Sequence, residues 1–313
     1  MQQDMEYIMA VYETGSISKA AERMFISQPA LSMSIRKTEE AVGKPLFDRS
    51  SRPIRLTEAG RILVESLKKI RQTEQEMNWQ LKDLDDLNTG SIYIGGSHYI
   101  NAIAMTGFLT YFHRKYPGLA LQIAEGSSIH LTQLLTGHQI DVIFSCDAEY
   151  VRDFPAYPIF TDNILLLVPG DDPINQVFRD YRLSEQDLRE KKHLRSDCPE
   201  VEIKWFQDLD FILLKEKHLL RDNALAMFRE AGVTPKIVLE LAQLSTARRL
   251  SVAGYAATFV LDRMIGTRPT GACYYKIRST CSTVPFYALL PNQEYTPKAV
   301  RVFIRELQSY FGA

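Results

Sequence analysis

The chain has 313 residues and a mass of 35.8 kDa, more than the roughly 100–200 residues of one ordinary domain, so we expect two or three domains. Hydrophobic residues make up 45% and charged residues 24% of the sequence, proportions that are typical of a globular protein and exclude a disordered or fibrous chain. The formal net charge of −1 excludes a protein that binds nucleic acid through its bulk charge, but it leaves room for a local basic patch.

Three short helical patterns open the chain. A first helix ends at Gly15, and a second begins near Ser18, which can cap it. Ser27 caps a third helix, which carries Pro29 in its first turn, where the missing N–H costs nothing, and which ends at Gly43. Because small residues also lie where two of these helices cross, the pattern predicts a helix-turn-helix.

A wing and a long helix are predicted next. Two strand-like runs at 46–47 and 54–56 flank a turn at 50–53. Thr57 caps the segment that follows, which from Glu58 to about Asn88 contains no proline and, after Gly60, no glycine. A single helix of roughly 45 Å is therefore possible there.

Apolar residues recur along this helix in alternating four- and three-residue steps, with Glu74 at the one skipped position. They are Leu63, Leu67, Ile70, Met77, Leu81 and Leu84. This heptad seam predicts a homodimer, because a narrow apolar stripe needs a partner and a second copy is the commonest one. The alternative is a helix that packs on the C-terminal domain of its own chain.

From Gly90 onward the strand and helix patterns alternate in βαβαβ order, which predicts a parallel sheet with helices on both faces. Similar units continue to a last helix from Pro297, enough for two α/β lobes. We expect the chain to cross to the second lobe near 160–163 and to return near 263–267. The charged segment at 173–207, which includes a helix capped by Ser184, is expected to be a solvated decoration of the second lobe.

The sequence SISKAAERMFISQPALS at 16–32 resembles the helix-turn-helix of the LysR-type transcriptional regulators. EEAVGKPLFDR at 39–49 and RPIRLTEAG at 52–60 match the same family, and looser matches to IGGS, FHRKYPG, GHQID and VAG at 94–97, 112–118, 137–141 and 252–254 extend the resemblance over the whole chain. The sequence departs from the family at Met33, usually basic or polar, at Thr38, usually aliphatic, and in the length of 173–207.

The resemblance implies a fold that is α+β overall. It places a winged helix-turn-helix DNA-binding domain at 1–58, a linker and dimerisation helix at 59–88, and an effector-binding domain at 89–313 with a two-lobed, periplasmic-binding-protein-like α/β fold. Lobe 1 would comprise 91–161 and 267–313, and lobe 2 would comprise 162–266. Such a protein is a regulator and not an enzyme. Its implied partners are a double-stranded DNA operator, a small-molecule effector and further copies of itself, as a homodimer or homotetramer.

The first turns of a recognition helix read bases while neighbouring residues hold phosphates. The residues suited to bases are Gln28 for adenine, Pro29 and Ala30 for a thymine methyl, and Ser32 for either base type. Those suited to phosphates are Arg36 and Lys37. The resemblance implies that Arg52 in the wing reaches the minor groove, with Arg49 and Arg55 close by. The alternative is that these are helix-start residues and a solvated loop.

The sequence contains no nucleophile-elbow, P-loop, dinucleotide-binding or zinc-protease motif. Instead, Ser97 follows the first strand of the C-terminal domain and opens a helix, whose N-terminal N–H groups favour an anion. Loops at the carboxyl ends of the strands should converge on one crevice. The expected effector-binding residues are Ser97, His98, Tyr99, Ser127, Ser128, Cys146, Lys217, His218, Ser245 and Thr246. Most of these groups are donors, so we expect a small anionic effector such as an organic carboxylate.

Two alternatives stay open. One is a redox- or protein-responsive regulator with an empty cleft, in which Cys146 could be the sensor. The other is an α/β enzyme or solute-binding protein with a helical oligomerisation domain.

The cysteines and the apolar runs give expectations about metals, cofactors and location. The four cysteines lack CxxC spacing, so we expect free thiols, no metal site and no cofactor. No apolar run reaches the ~18–20 residues that span a bilayer, and the start lacks the basic and apolar regions of a secretory signal, so we expect a cytoplasmic protein without a membrane partner.

Overall fold

The computed structural model describes residues 2–83, 90–216, 218–266 and 270–312. The chain divides into two compact units, Met1–Leu84 and Asp85–Ala313. Each unit has its own hydrophobic core.

The first unit begins with three helices, α1 (Gln2–Thr14), α2 (Ile17–Arg23) and α3 (Gln28–Val42). Ser16 caps α2 through a hydrogen bond from the Lys19 N–H (3.4 Å), so the predicted cap at Ser18 is wrong by two residues. Ser27 caps α3 as predicted, by accepting from the Ala30 N–H (3.4 Å), and Gly43 ends it in the left-handed conformation. These three helices form the predicted helix-turn-helix.

The wing is a two-stranded antiparallel hairpin of β1 (Phe47–Asp48) and β2 (Arg55–Leu56). Gly60, in the first turn of the next helix, lies against the base of this hairpin. A Cβ atom there would come within 2.0 Å of the Leu46 carbonyl oxygen, so only glycine allows this approach.

Helix α4 spans Glu58–Lys82, which gives a length of roughly 37 Å at 1.5 Å per residue. The predicted continuation to Asn88, and Leu84 with it, lies outside the described residues. The seam divides into two parts. Leu67 is buried and Leu63 half-buried in the core of the first unit, whereas Ile70, Met77 and Leu81 are exposed.

The second unit contains a mixed sheet. Its strands are β3 (Gly90–Gly96), β4 (Leu119–Glu125), β5 (Val142–Ser145), β6 (Ala156–Val168), β7 (Asp210–Leu214), β8 (Lys236–Leu241), β9 (Ala257–Leu261), β10 (Cys273–Lys276) and β11 (Thr283–Leu289). The order is β4-β3-β5-β11-β6-β9-β7-β8, and β10 pairs with β6. The βαβ units give parallel pairs at β3/β4, β3/β5, β7/β8 and β7/β9, and β6 makes antiparallel pairs with β9, β10 and β11.

Strand β6 belongs to both lobes. Asn163 pairs with Thr283 of β11 in lobe 1, and the next residue, Ile164, pairs with Leu261 of β9 in lobe 2. The expected return near 263–267 and the lobe boundary at 266/267 are wrong, because β10 pairs with 165–168 of β6 and so completes lobe 2. The chain returns to lobe 1 between β10 and β11. The chain returns later than expected because the buried run Cys273-Tyr274-Tyr275 first covers the open side of β6.

Helices flank the sheet. They are α5 (Thr106–Lys115), α6 (Ser128–Thr136), α7 (Ala148–Asp153), α8 (Ile174–Val177), α9 (Glu185–Arg189), α10 (Leu219–Glu230), α11 (Leu244–Val252) and α12 (Lys298–Phe311). A π-helical turn, Ile100–Ala104, precedes α5. Among the residues that the structure describes, no helix has the length and apolarity to cross a membrane.

The segment 173–207 is not the solvated decoration that its charge predicts. Ser184 caps α9 in a reciprocal capping box with Asp187, as its position predicted. Apolar side chains of the segment nevertheless enter the main core of the domain; they are Leu183, Leu188, Val201, Ile203 and Phe206. Its buried Glu185 carboxylate also accepts a hydrogen bond from the Thr270 N–H (3.1 Å). The segment is therefore a structural part of lobe 2.

Candidate functional site

The predicted base-reading residues lie on the outer face of α3. Gln28, Pro29 and Ala30 are exposed and Ser32 is half-buried, while the opposite face is buried in the core of the first unit. Thr38, a departure from the family pattern, is half-buried, and its hydroxyl donates to the Ser34 carbonyl oxygen (3.1 Å), so its polar atom is satisfied within the helix. The side chains needed for base contact are therefore accessible.

The predicted phosphate-binding residues differ in their surroundings. Arg36 and Lys37 are exposed on α3. Arg49 donates to the Glu39 carboxylate (2.9 Å), whose other oxygen accepts from the Leu46 N–H (2.9 Å) and so ties α3 to the wing.

Charge in the wing is more balanced than the sequence indicates. Asp48 pairs with Arg55 across the hairpin, and hydrogen bonds from Ser50 lower the pKa of the Asp48 carboxyl, with a smaller contribution from the Arg55 charge. In the described part of the chain Arg52 forms no ion pair and is exposed. Arg52 is consequently the wing arginine with its charge most available to DNA.

A cavity of about 480 Å³ lies between the two lobes of the second unit. The predicted effector residues that line it are Ser97, His98, Tyr99, Ser127, Ser128, Cys146, His218 and Ser245. Thr246 is exposed and does not line the cavity, because it lies one residue further along α11 than Ser245. Lys217 lies outside the described residues.

Lobe 1 contributes two helix starts to this cavity. Ser127 caps α6 by accepting from the His130 N–H (3.3 Å), and Ser97 accepts more weakly from the Ile100 N–H (3.5 Å) at the π-helical turn. The N-terminal N–H groups of these elements therefore lie at the cavity wall, where they favour a negative charge.

Lobe 2 contributes two further helix starts, on the other side. α10 begins after His218 and α11 after Gln243, and neither residue caps its helix through a side-chain hydrogen bond. Their first N–H groups are left available to a ligand. Gln243 also lines the cavity.

Two carboxylates line the cavity as well. The Glu125 carboxylate lies 3.3 Å from His98 Nδ1. Asp147 caps α7 by accepting from the Glu149 N–H (3.1 Å), and its own N–H donates to the Ser145 hydroxyl (3.1 Å). The sequence did not indicate Glu125 as a cavity residue, because it ends a strand and does not start a helix. The one signal for it is its position at the carboxyl edge of the sheet.

Apart from Ser145 and the backbone at Gly126, the rest of the wall is apolar. Its side chains are Ile100, Ile103, Leu131, Phe144, Leu214, Leu219, Leu220, Ala242, Leu244, Leu261, Met264, Val284 and Phe286. Sequence reasoning on donor groups did not identify these residues. The cavity thus combines helix starts and polar groups with a large apolar surface.

Tyr99 links the cavity to the strand shared by the lobes. Its hydroxyl donates to the fully buried carboxylate of Asp162 on β6. The other oxygen of Asp162 accepts from Nε of Arg263 (2.6 Å), which lies just after β9 of lobe 2. The Arg263 guanidinium also stacks over the Phe160 ring at 4.2 Å. Residues of both lobes therefore meet at Asp162.

A second carboxylate lies beside this contact. Asp262 accepts hydrogen bonds from the Asn163 side chain (2.8 Å) and from its backbone N–H (3.2 Å). It also lies 2.9 Å from Nε2 of His193, a buried residue of the 173–207 segment. The extra segment thereby contacts the crossing point between the lobes.

Comparisons with known proteins agree with this architecture. The family described as "Bacterial regulatory helix-turn-helix protein, lysR family" matches residues 2–61, and "LysR substrate binding domain" matches residues 85–199 and 190–312. The chain is 32% identical over 187 residues to a "Probable RuBisCO transcriptional regulator" of Cyanidioschyzon merolae, an alignment that covers 59% of this chain and 61% of that protein.

Two longer matches cover most of the chain. It is 28% identical over 296 residues to the "Uncharacterized HTH-type transcriptional regulator YcgK" of Bacillus subtilis, which covers 92% of this chain and 88% of that protein. It also resembles the crystal structure of full-length CbnR complexed with target DNA, with a TM-score of 0.60 at 18% identity over 98% of each chain.

A winged helix-turn-helix, a long helix and a two-lobed α/β domain with an interlobe cavity define a ligand-responsive DNA-binding regulator. The chain belongs to the LysR family of transcriptional regulators. The predicted family, fold class and absence of an enzymatic function are therefore confirmed, since the matching families and relatives are regulators.

Proposed function

We propose that this LysR-type regulator responds to a small organic carboxylate bound in the interlobe cavity, and that it acts on an operator bound by α3 and the wing. The observation that supports an anionic ligand is that helix starts from both lobes converge on one cavity. Two of these helices begin without a side-chain cap. Unsatisfied N–H groups and the positive helix end both favour a carboxylate.

The rest of the wall refines the class of ligand. The apolar residues suit a hydrocarbon or aromatic body, since burial of such a surface drives binding. Glu125 and Asp147 accept hydrogen bonds, so they favour a ligand that carries a hydroxyl group in addition to its carboxylate. A hydroxylated organic acid with an apolar body satisfies all three parts of the wall.

A thermal-shift screen with organic acids tests this proposal. A bound acid should stabilise the full-length protein by RT ln(1 + [L]/Kd), about 2.7 kcal/mol at a hundredfold excess over Kd. Ser97→Ala and Ser127→Ala should each lose most of the acid-induced shift. The shift of each variant is measured against its own unliganded melting temperature, because Ser127→Ala also removes a helix cap and so lowers stability by itself.

Ser196→Ala is the matched control, because Ser196 is an exposed serine that does not line the cavity. It should keep the full shift. If the Ser97 and Ser127 variants also keep the full shift with an acid that binds, the ligand lies elsewhere and the proposal is wrong.

The redox alternative is disfavoured by the environment of Cys146. Burial raises the pKa of this thiol to about 12, with a further increase from the Asp147 charge. A thiol with such a pKa carries little thiolate at neutral pH, and the thiolate is the species that reacts with oxidants. We therefore favour ligand binding over a Cys146 redox switch.

We also propose that the regulator is a cytoplasmic homodimer that forms tetramers. Two exposed groups of apolar side chains support self-association. Ile70, Met77 and Leu81 extend along α4, and Ile123 of edge strand β4 and Ile237 of edge strand β8 lie at opposite ends of the α/β sheet. Uncovered edge strands with apolar side chains are surfaces that another chain can cover.

A further inference from the structure

The outer face of α3 carries one large apolar side chain, Met33. Its exposed fraction is 69%, against 0% for Leu31 and 1% for Ile35. At 100° per residue, Met33 lies roughly 200° around the helix from each of these core residues. It is therefore directed away from the core of the first unit and has no part in holding that core together.

Met33 lies between two groups of residues that suit DNA. Pro29 is one helical turn before it, in the turn suited to bases, and Arg36 and Lys37 lie about one turn after it. All three are exposed. Glu40 is the acidic residue on this face, two turns beyond Met33 toward the end of the helix. A helix that places Pro29 near bases and Arg36 near a phosphate also places Met33 at the groove.

We propose that Met33 is a specificity-determining residue that contacts the C5-methyl group of a thymine in the major groove. This inference rests on the proposed operator binding through α3. Thymine presents the one apolar group on a base edge in that groove, and a thioether offers no strong hydrogen bond to the polar edges of the other bases. Covering such a polar edge with methionine would leave it unpaired, so a T·A pair is selected at this position.

The experiment uses the full-length protein and an operator selected from randomised duplexes, in which deoxyuridine replaces each thymine in turn. The only change is the loss of one methyl group. For wild type we expect affinity to fall about fourfold at one thymine of each half-site, the factor that corresponds to one buried methyl. In Met33→Ala this particular penalty should disappear, while any deoxyuridine penalties at thymines contacted by Pro29 or Ala30 remain.

Two further variants separate a base contact from a change in the helix. Met33→Gln keeps the length and helix propensity of the side chain and should also abolish the penalty at that thymine. Val42→Ala changes another exposed apolar residue at the far end of α3, on its other side, and should leave the deoxyuridine profile unchanged.

The outcomes are distinct. The inference is overturned if Met33→Ala and Met33→Gln keep the wild-type deoxyuridine profile, or if the selected half-sites contain no thymine. If the full-length protein selects no operator at all, the proposed operator binding through α3 fails as well. If an operator is selected and Gln28→Ala alters base preference but the Met33 variants do not, operator binding stands and only the role of Met33 is wrong.

Discussion

Among single residues, Asp162 is the buried charge on which both lobes converge. Burial raises the pKa of its carboxyl to about 7, even though the hydrogen bonds from Tyr99 and Arg263 act in the opposite direction. In an unfolded chain an aspartate has a pKa of about 4. The folded protein therefore binds more protons than the unfolded chain between about pH 4 and 7, and the free energy of unfolding falls as the pH rises through that range.

We expect Asp162→Asn to reduce this loss of stability, because an amide has no proton to release. Denaturation with urea at a series of pH values would compare the slopes of the variant and the wild type. Asp141→Asn is a matched control: burial raises the pKa of the Asp141 carboxyl to about 6, so its replacement should flatten the dependence only below about pH 6. An unchanged slope between pH 6 and 7 in Asp162→Asn would contradict the assignment.

At the scale of elements, α4 has two different apolar surfaces on one heptad seam. Its first part is covered within the chain, since Leu67 is buried and Leu63 half-buried against the helix-turn-helix. Its second part has no such cover, as Met77 and Leu81 are 51% and 57% exposed. The covered part packs on the helix-turn-helix of its own unit and not on the C-terminal domain, and the exposed part is the surface that the proposed dimer would cover.

Met77→Gln and Leu81→Gln together should separate the proposed N-terminal dimer, because each substitution removes apolar burial of roughly 1.5–3 kcal/mol. Sedimentation of residues 1–90 should then show a monomer for the double variant and a dimer for the wild type. Leu67→Ala provides the contrast: it should lower the free energy of unfolding by ~2–5 kcal/mol, since it leaves a cavity in the core. A wild-type fragment that stays monomeric at high concentration would refute the dimer.

Local signals in the sequence predicted the N-terminal elements well. The Ser27 cap, Pro29 and Gly43 act within a few residues, so the start and end of α3 could be inferred from them. Strand β10 could not be inferred in this way, because Cys273–Lys276 is short and its pairing with β6 joins residues more than a hundred positions apart. The prediction that 173–207 is a solvated decoration failed for the same reason. The charges of this segment can be read locally, whereas its buried side chains pack in a core formed with distant parts of the chain.

The candidate site was predicted in part, for a related physical reason. Helix starts that follow strands can be recognised in the sequence by their serine caps, and Ser97 and Ser127 do line the cavity. The apolar wall, with residues such as Phe286 and Met264, is assembled only when β11 and β9 lie beside β6. Sequence reasoning recognises the polar groups that mark a site but not the distant side chains that enclose it.

For the whole molecule, the division into two compact units predicts that the DNA-binding and ligand-binding activities can be separated. A chain that lacks residues 1–90 should keep the acid-induced thermal shift of the full-length protein, because the cavity lies wholly within the second unit. It should lose operator binding completely. A fragment that folds, as judged by its circular dichroism, but no longer responds to an acid that shifts the full-length protein would contradict this independence.

The position of β11 has a consequence for synthesis of the chain. This strand lies between β5 and β6, yet it follows all of lobe 2 in the sequence, and α12, which packs on lobe 1, follows it in turn. During translation lobe 2 is complete while lobe 1 still lacks an inner strand and a covering helix. Lobe 1 must therefore wait for β11 and α12 to leave the ribosome, with its apolar surface exposed until then. A chain that ends after β10 would lack an inner strand and a covering helix of lobe 1, so the apolar surface of that lobe would stay exposed.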